Sequence, residues 1–225
     1  MIELHEIEGA HFRLAEAAVP AGEFAAVVAP TVACAREFVD LLLGLAAPRG
    51  GTVRLLGQSL AALDERARLA LRARLGYAAQ ADGLVSHLSL GENILLGAAY
   101  HRRAEAAALD ARLRVLLGWC GWPEEEARRA FKQTPESATP FERAGAAWLR
   151  ALLGDPELLI CEDLFSGLAP DRRRRLIHAS VAFQAEDPAR GSAFVLVGDR
   201  LVEELQPTSV FYLSLRGDFR AESSA

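Results

Sequence analysis

An open, mostly parallel α/β sheet carrying an inserted helical subdomain is the fold this sequence predicts, on three observations. Continuous apolar runs at Phe24-Ala25-Ala26-Val27-Val28, Leu158-Leu159-Ile160-Cys161 and Ala193-Phe194-Val195-Leu196-Val197 suit strands buried on both faces of a parallel sheet. Segments of helical period follow those runs. An alanine- and arginine-rich helical stretch from about Glu92 to Ala151 separates the first run from the second, broken at Gly121-Trp122-Pro123, Thr134-Pro135 and Thr139-Pro140.

The remaining elements follow in order. The first residues alternate and reach a turn at Val19-Pro20-Ala21-Gly22-Glu23 before the first apolar run. Residues 29–35 read as a loop, and Arg36 to Leu45 have helical period, ended by Pro48-Arg49-Gly50-Gly51. Thr52 to Gly57 is a short strand closing on a turn, Leu60 to Leu75 is charged and helical, and a strand after it ends at Gln80. These elements divide the chain into a core with a small antiparallel β subdomain (1–80 and 150–225) and the helical subdomain (81–149).

A chain of 225 residues accommodates one large domain or one core with an insertion. With 51% hydrophobic and 24% charged residues it has the material for a packed core, which excludes disorder. A formal net charge of -5 argues against a dedicated nucleic-acid binder. Cys34, Cys120 and Cys161 are scattered and lack metal-ligand spacing, as expected of reduced core residues in a cytoplasmic protein. The opening Met1-Ile2-Glu3-Leu4-His5-Glu6 carries acids where a signal peptide carries bases, and no run nears the roughly 18 apolar residues of a spanning helix. The expectation is a protein that reaches a membrane only through a partner.

Pro20-Ala21-Gly22-Glu23, Gly76-Tyr77-Ala78-Ala79-Gln80, Leu90-Gly91-Glu92-Asn93-Ile94 and Phe165-Ser166-Gly167-Leu168, in that order, resemble motifs of the ATP-binding-cassette (ABC) ATPases, and the resemblance runs along nearly the whole chain. Pro20-Ala21-Gly22-Glu23 looks like that family's approach to its phosphate loop. Leu42-Leu43-Gly44-Leu45 followed by Gly50-Gly51-Thr52-Val53 looks like the helix and strand after the loop. Gly76-Tyr77-Ala78-Ala79-Gln80, then Leu84 and Leu90-Gly91-Glu92-Asn93-Ile94, resembles the Q-loop and the start of the helical subdomain. The run from Arg150 to Leu159 resembles the passage from signature helix to Walker B strand, and Phe165-Ser166-Gly167-Leu168 resembles the start of the D-loop. The resemblance implies a P-loop NTPase-like core.

The family's phosphate loop reads G-x-x-G-x-G-K-[ST]; its glycines let backbone N–H groups wrap phosphates, its Lys reaches the β and γ groups, and its hydroxyl holds Mg²⁺. The matching residues here are Ala29, Val32 and Cys34 for the glycines, Ala35 for the lysine and Arg36 for the hydroxyl. A non-Gly residue forced to positive φ costs about 1–2 kcal/mol, and losing the lysine removes a charge-assisted hydrogen bond worth roughly 1.5–3 kcal/mol. A cation in place of the hydroxyl cannot ligate Mg²⁺. The Walker B strand, normally ending Asp-Glu, ends here in Glu162-Asp163, each carboxylate displaced by about one carbon–carbon bond, ~1.5 Å. Two acids at a strand end also suit the capping of the next helix. Asp199 matches the switch histidine and Ala169 the D-loop acid. The signature, normally Leu-Ser-Gly-Gly-Gln, aligns with Ala138-Thr139-Pro140-Phe141-Glu142, where Thr139 and Pro140 still suit a helix start. Gln80 is the best-kept motif residue, and His11 and Phe12 are the nearest aromatics for an adenine, both better suited to packing or capping.

Three expectations follow from the resemblance. Arg36 and Glu162 flank the family's Mg²⁺ position, so Arg36 is expected to take the metal's place and pair with Glu162 or Asp163; the alternative is that Arg36 snorkels to solvent. The chain is expected to be a pseudo-ATPase rather than an enzyme, with no bound metal and ATP·Mg²⁺ held weakly at most. It is expected to act as a structural or regulatory subunit at the cytoplasmic face of a membrane, with a permease or an active ATPase subunit, as a homodimer or heterodimer. A weak ATPase completed by a partner and a soluble scaffold unrelated to transport are the other readings. Trp119, Trp122 and Trp148 read as core or partner-surface residues, and Arg172-Arg173-Arg174-Arg175 as a solvated helix face.

Overall fold

The computed structural model describes residues 1–79, 83–101, 105–198 and 203–216. Strands β1 (Ile2–Glu8) and β2 (Phe12–Val19) open the chain, and β3 (Phe24–Ala29) follows the turn at 20–23. Helix α1 (Val32–Leu42) leads to β4 (Gly50–Leu55), the two-residue β5 (Gln58–Ser59), α2 (Glu65–Arg72) and β6 (Leu75–Ala79). The helical block comprises α3 (Leu90–His101), α4 (Ala106–Trp119), α5 (Glu124–Ala130) and α6 (Pro140–Leu153). Then come β7 (Leu158–Glu162), α7 (Pro170–Glu186), β8 (Gly191–Val197), β9 (Ser209–Tyr212) and β10 (Ser214–Leu215).

The strands form two sheets. One has the order β6-β7-β8-β3-β9, every pairing parallel; the other, β10-β2-β1-β4-β5, is antiparallel throughout. All six residues of β3 and all five of β7 are buried, because both faces of the parallel sheet are covered. Alternate residues divide between two cores. Ala26, Leu159, Cys161 and Phe194 pack with the helical block and α7, whereas Ala25, Val27, Ile160 and Val195 pack with α1 and the antiparallel sheet. In that second sheet β1 bulges between His5 and Glu8, with Glu6 at φ 49. Opposite the bulge, Gly51 sits at φ 88, and a Cβ there would lie 2.3 Å from the Glu6 carbonyl oxygen, so only glycine fits.

The phosphate-loop region differs from the sequence reading. Residues 29–35 are not a loop: Ala29 ends β3, α1 already begins at Val32, and only Pro30 and Thr31 lie between. Thr31 caps the helix, its Oγ1 accepting the Cys34 N–H at 3.2 Å, and Val-Ala-Cys-Ala then continues helically where glycines would have held the chain open. At its other end α1 stops at Leu42 rather than Leu45, because Gly44 turns the chain at φ 63. The stretch read as helical from Leu60 is a short 3-10 turn (Leu60–Ala62) followed by α2, capped by the Asp64 side chain.

The loop after α6, the middle of α4, the end of α7 and the loop before β8 are tied by four charges. Arg112 donates to both Glu186 carboxylate oxygens, Nη1 to Oε1 at 2.8 Å and Nη2 to Oε2 at 2.7 Å. Arg190, 8% exposed, donates to Glu186 Oε2 at 2.9 Å and also bonds Asp155. The Arg112 hydrogen bond, against an opposing burial effect and with help from Arg190, holds the Glu186 pKa below its ordinary value. A depressed carboxylate stabilises the fold above its unfolded pKa, about 4.3, and that contribution is lost as pH falls through the folded value. Glu186→Gln is therefore expected to lower the urea midpoint at neutral pH, with the gap from wild type closing as pH falls below the unfolded value of about 4.3. A gap that stays constant across that range would show that the carboxylate charge is not what the arginines hold.

Candidate functional site

The carboxyl ends of the parallel strands meet the start of α1, and one side chain from each of three elements converges there. Arg36 projects from α1, Glu162 is the last residue of β7, and Tyr77 lies on β6, whose register sets Ala79 beside Glu162 and Tyr77 beside Ile160. Arg36 Nη1 donates to Glu162 Oε2 at 3.2 Å and to the Tyr77 hydroxyl at 3.2 Å. The Tyr77 hydroxyl donates to the same Glu162 oxygen. Asp40, one turn along α1, lies 3.8 Å from Arg36 Nε.

The charges respond accordingly. Burial alone would lower the Arg36 pKa, but Tyr77, Glu162 and Asp40 together raise it above its ordinary value. Burial, reinforced by the hydrogen bond to Glu162, pushes the Tyr77 phenol up. Glu162 is 8% exposed and Arg36 roughly half exposed, so the pair is semi-buried and partly screened.

Two backbone donors at the start of α1 are engaged within the chain. The Cys34 N–H goes to Thr31 Oγ1, the Ala35 N–H to the Thr31 carbonyl at 3.1 Å, and Pro30 has none. Thr31 Oγ1 also donates to Cys34 Sγ, and Cys34 Sγ reaches the His11 carbonyl at 3.5 Å. Ala29, Val32 and Cys34 keep ordinary negative φ, so the glycine replacements cause no backbone strain. Cys34 and Ala35 are buried, at 0% and 1%, and their side chains belong to the core under α1.

Asp163 turns away from this cluster. It sits at φ 46, its N–H donating to the Val195 carbonyl at 2.8 Å, while its carboxylate accepts from Ser166 and from the Val197 N–H. Burial raises its pKa. Of the two acids, Arg36 pairs with Glu162; among the described residues no ion pair joins it to Asp163. Gln80 and Asp199 lie outside the described residues.

At the signature position, Thr139 and Glu142 form a reciprocal cap: Glu142 Oε2 accepts the Thr139 N–H at 2.7 Å and Thr139 Oγ1 accepts the Glu142 N–H at 3.3 Å, with Pro140 first in the helix. Phe141 is buried against Trp122, ring centroids 5.5 Å apart, and the Arg172 guanidinium lies 4.6 Å over its ring. Ala169 occupies the N-cap position of α7 without a side-chain cap hydrogen bond, and Pro170 opens the helix. Phe12 is fully buried and packs edge-on against Phe38, while the backbone N–H of His11 goes to Glu37. In the arginine run, Arg173 pairs with Glu204 at 2.9 Å and Arg175 donates to the Gly121 carbonyl at 3.2 Å, so it is more than a solvated face. Cys34, Cys120 and Cys161 are free and buried, and burial raises the Cys120 thiol to about 11. Among the described residues no group of three His, Cys, Asp or Glu side chains converges as a metal site.

No family model matches the chain. It is 31% identical over 159 residues to the methionine import ATP-binding protein MetN 2 of Paraburkholderia xenovorans, covering 71% of this chain and 40% of that protein. It is 34% identical over 146 residues to the lipoprotein-releasing system ATP-binding protein LolD of Chromohalobacter salexigens, covering 64% and 59%. The fold matches a solved dimeric bacterial ABC transporter cassette with a TM-score of 0.80, over 95% of this chain and 94% of that one, at 18% identity. The chain is a homologue of the ABC transporter ATP-binding proteins. It has the ABC ATPase cassette fold: a parallel sheet, an antiparallel β subdomain and helices. The match spans between 33% and 60% of the length of these ABC relatives.

These relatives correct one expectation. The sequence reading took the chain to be no enzyme, yet its ABC relatives are named ATP-binding proteins, and one neighbouring cassette (TM-score 0.76, 16% identity) is solved in a post-hydrolysis state bound to ADP and Pi. The physical error lay in treating motif loss as all-or-none. A missing charge-assisted hydrogen bond worth roughly 1.5–3 kcal/mol lowers affinity or rate by a factor; it does not remove a chain from an ATPase family. Among the described residues no helix is long and apolar enough to cross a membrane. Two cluster members, Tyr77 and Asp40, escaped the sequence reading. Asp40 was legible as an i+4 partner of Arg36, whereas Tyr77 joins only through the β6–β7 register.

Proposed function

We propose that the chain is the cassette subunit of an ABC-type membrane transport complex, acting in a structural or regulatory role, with ATP binding and turnover at its own phosphate site strongly weakened. The observation that carries this reading is the Arg36–Glu162 pair, Nη1 to Oε2 at 3.2 Å, set beside a helix that starts at Val32. In the family's frame the guanidinium stands in the Mg²⁺ position and neutralises the acid that would face the metal. The residues present fit ATP·Mg²⁺ poorly: the Cys34 N–H is capped by Thr31, and Ala35 is a buried methyl where a phosphate would need a cation.

Its partners are a permease, engaged through the helical block, and an active ATPase subunit or a second copy. In a homodimer both shared sites would be weakened; in a heterodimer each would be half-impaired. The chain then sits at the cytoplasmic face of a membrane through its partner. A weak ATPase completed by a partner is the second reading, favoured by the survival of both acids, Glu162 and Asp163, at the end of β7. Calorimetry with ATP and Mg²⁺ on the purified chain is expected to give no saturable binding below millimolar nucleotide. Micromolar binding would overturn the weakened site, and hydrolysis assays with a candidate partner cassette decide between the two readings.

A further inference from the structure

Beside Tyr77, a cavity of about 240 Å³ opens between the end of α2, β6, α3 and the end of α6. Arg72 and Arg150 line it together with apolar walls from Leu75, Ala98 and Pro156, and among the described residues no acid does, in a chain whose net charge is -5. Neither arginine forms an ion pair among the described residues; Arg72 Nε, like Arg112 Nε, is buried without a hydrogen-bond partner, but Arg112 has carboxylates on its other nitrogens. The contrast with their neighbours is direct. Arg74, two residues on, is held bidentately by Glu157, and Arg112 and Arg190 share Glu186 and Asp155.

A guanidinium withdrawn from water costs stability unless an anion meets it. Burial lowers the Arg150 pKa, opposed only by Tyr77, as expected of a cation short of a counter-charge. Proteins keep such unneutralised groups where a ligand supplies the missing partner, at a cost to the empty state. The planar fork of arginine matches a carboxylate, and the apolar walls suit a short aliphatic stem behind it.

We propose that this cavity is a carboxylate-binding site in which Arg150, assisted by Arg72, receives the anion. The carboxylate comes either from a free small organic acid or from an acidic side chain of a partner protein. The cavity shares Tyr77 with the Arg36–Glu162 cluster, but its test reads carboxylate binding and does not depend on whether the chain binds nucleotide.

Thermal melts of the full chain test it, at constant ionic strength in sodium chloride, with sodium succinate or a short glutamate-containing peptide added, and the glutamine version of that peptide as control. Wild type is expected to melt higher with at least one carboxylate probe and not with the glutamine peptide. In chloride alone Arg150→Gln is expected to melt at or above the wild-type temperature, because it removes an uncompensated cation, and to lose the probe-dependent rise. Arg72→Gln should reduce the rise, and Arg150→Lys should retain part of it. A rise with succinate identifies a free ligand; a rise with the peptide alone identifies a partner's side chain. The proposal is overturned if neither probe moves the wild-type melt, if Arg150→Gln keeps the full rise, or if Arg150→Gln melts well below wild type in chloride, as a purely structural arginine would.

Discussion

Trp148→Ala is expected to lower the free energy of unfolding by about 3–5 kcal/mol, the range for removing a fully buried large aromatic side chain. Trp148 is 0% exposed on α6, the helix that joins the helical block to the parallel sheet. Its indole Nε1–H donates to Ser180 Oγ at 2.9 Å, and Ser180 Oγ in turn donates to the Leu176 carbonyl at 2.8 Å within α7. The substitution therefore opens a cavity and strips one partner from a buried hydroxyl, two losses with the same sign. Relaxation is limited on one side, because Gly145 on the same helix already packs so closely that a Cβ there would lie 2.8 Å from Trp122 Cζ3. Urea unfolding followed by circular dichroism measures the effect. A loss under about 1 kcal/mol would mean that α6 and α7 do not pack as described.

What the sequence revealed of the fold follows from how each element is stabilised. Strands β3, β7 and β8 were legible because burial on both faces demands unbroken apolar runs. The start of α6 was legible because Thr139 and Pro140 carry the chemistry of a helix N-terminus whatever surrounds them; the reciprocal bond from Glu142 emerged only in the structure. Strands β5, β9 and β10 had no such signature: two to four residues long, they exist through their partners in the sheet. The Arg36–Glu162 contact spans 126 positions in sequence, and only the family frame suggested it. Tyr77 shows the limit of that frame. Its place in the site depends on strand register, which no local pattern around residues 75–79 encodes.

The loop at 29–35 was misread because a motif alignment carries over the conformation of the motif along with its position. Once the glycines are gone, nothing holds the backbone away from helix, and Thr31 supplies the cap that lets α1 begin at Val32. A restoring substitution therefore meets a different backbone from the one the motif assumes. Ala35→Lys alone is expected to destabilise the chain by about 3–5 kcal/mol and to bring no gain in ATP binding, because position 35 is 1% exposed in the apolar core under α1. The full exchange, Ala29→Gly, Val32→Gly, Cys34→Gly, Ala35→Lys and Arg36→Ser, removes the apolar anchor at 34, frees Glu162 from its guanidinium and permits the backbone to open. It is expected to tighten ATP·Mg²⁺ binding at least tenfold over wild type, since one charge-assisted hydrogen bond to phosphate is worth roughly 1.5–3 kcal/mol. Calorimetry on both variants, with unfolding curves beside it, separates the cases. If Ala35→Lys alone stays as stable as wild type and binds ATP, the start of α1 is open in solution and Thr31 is not its cap. If the full exchange folds and still binds no tighter than wild type, the obstacle lies outside the loop, with Tyr77 and its bond to Glu162 as the next substitution to make.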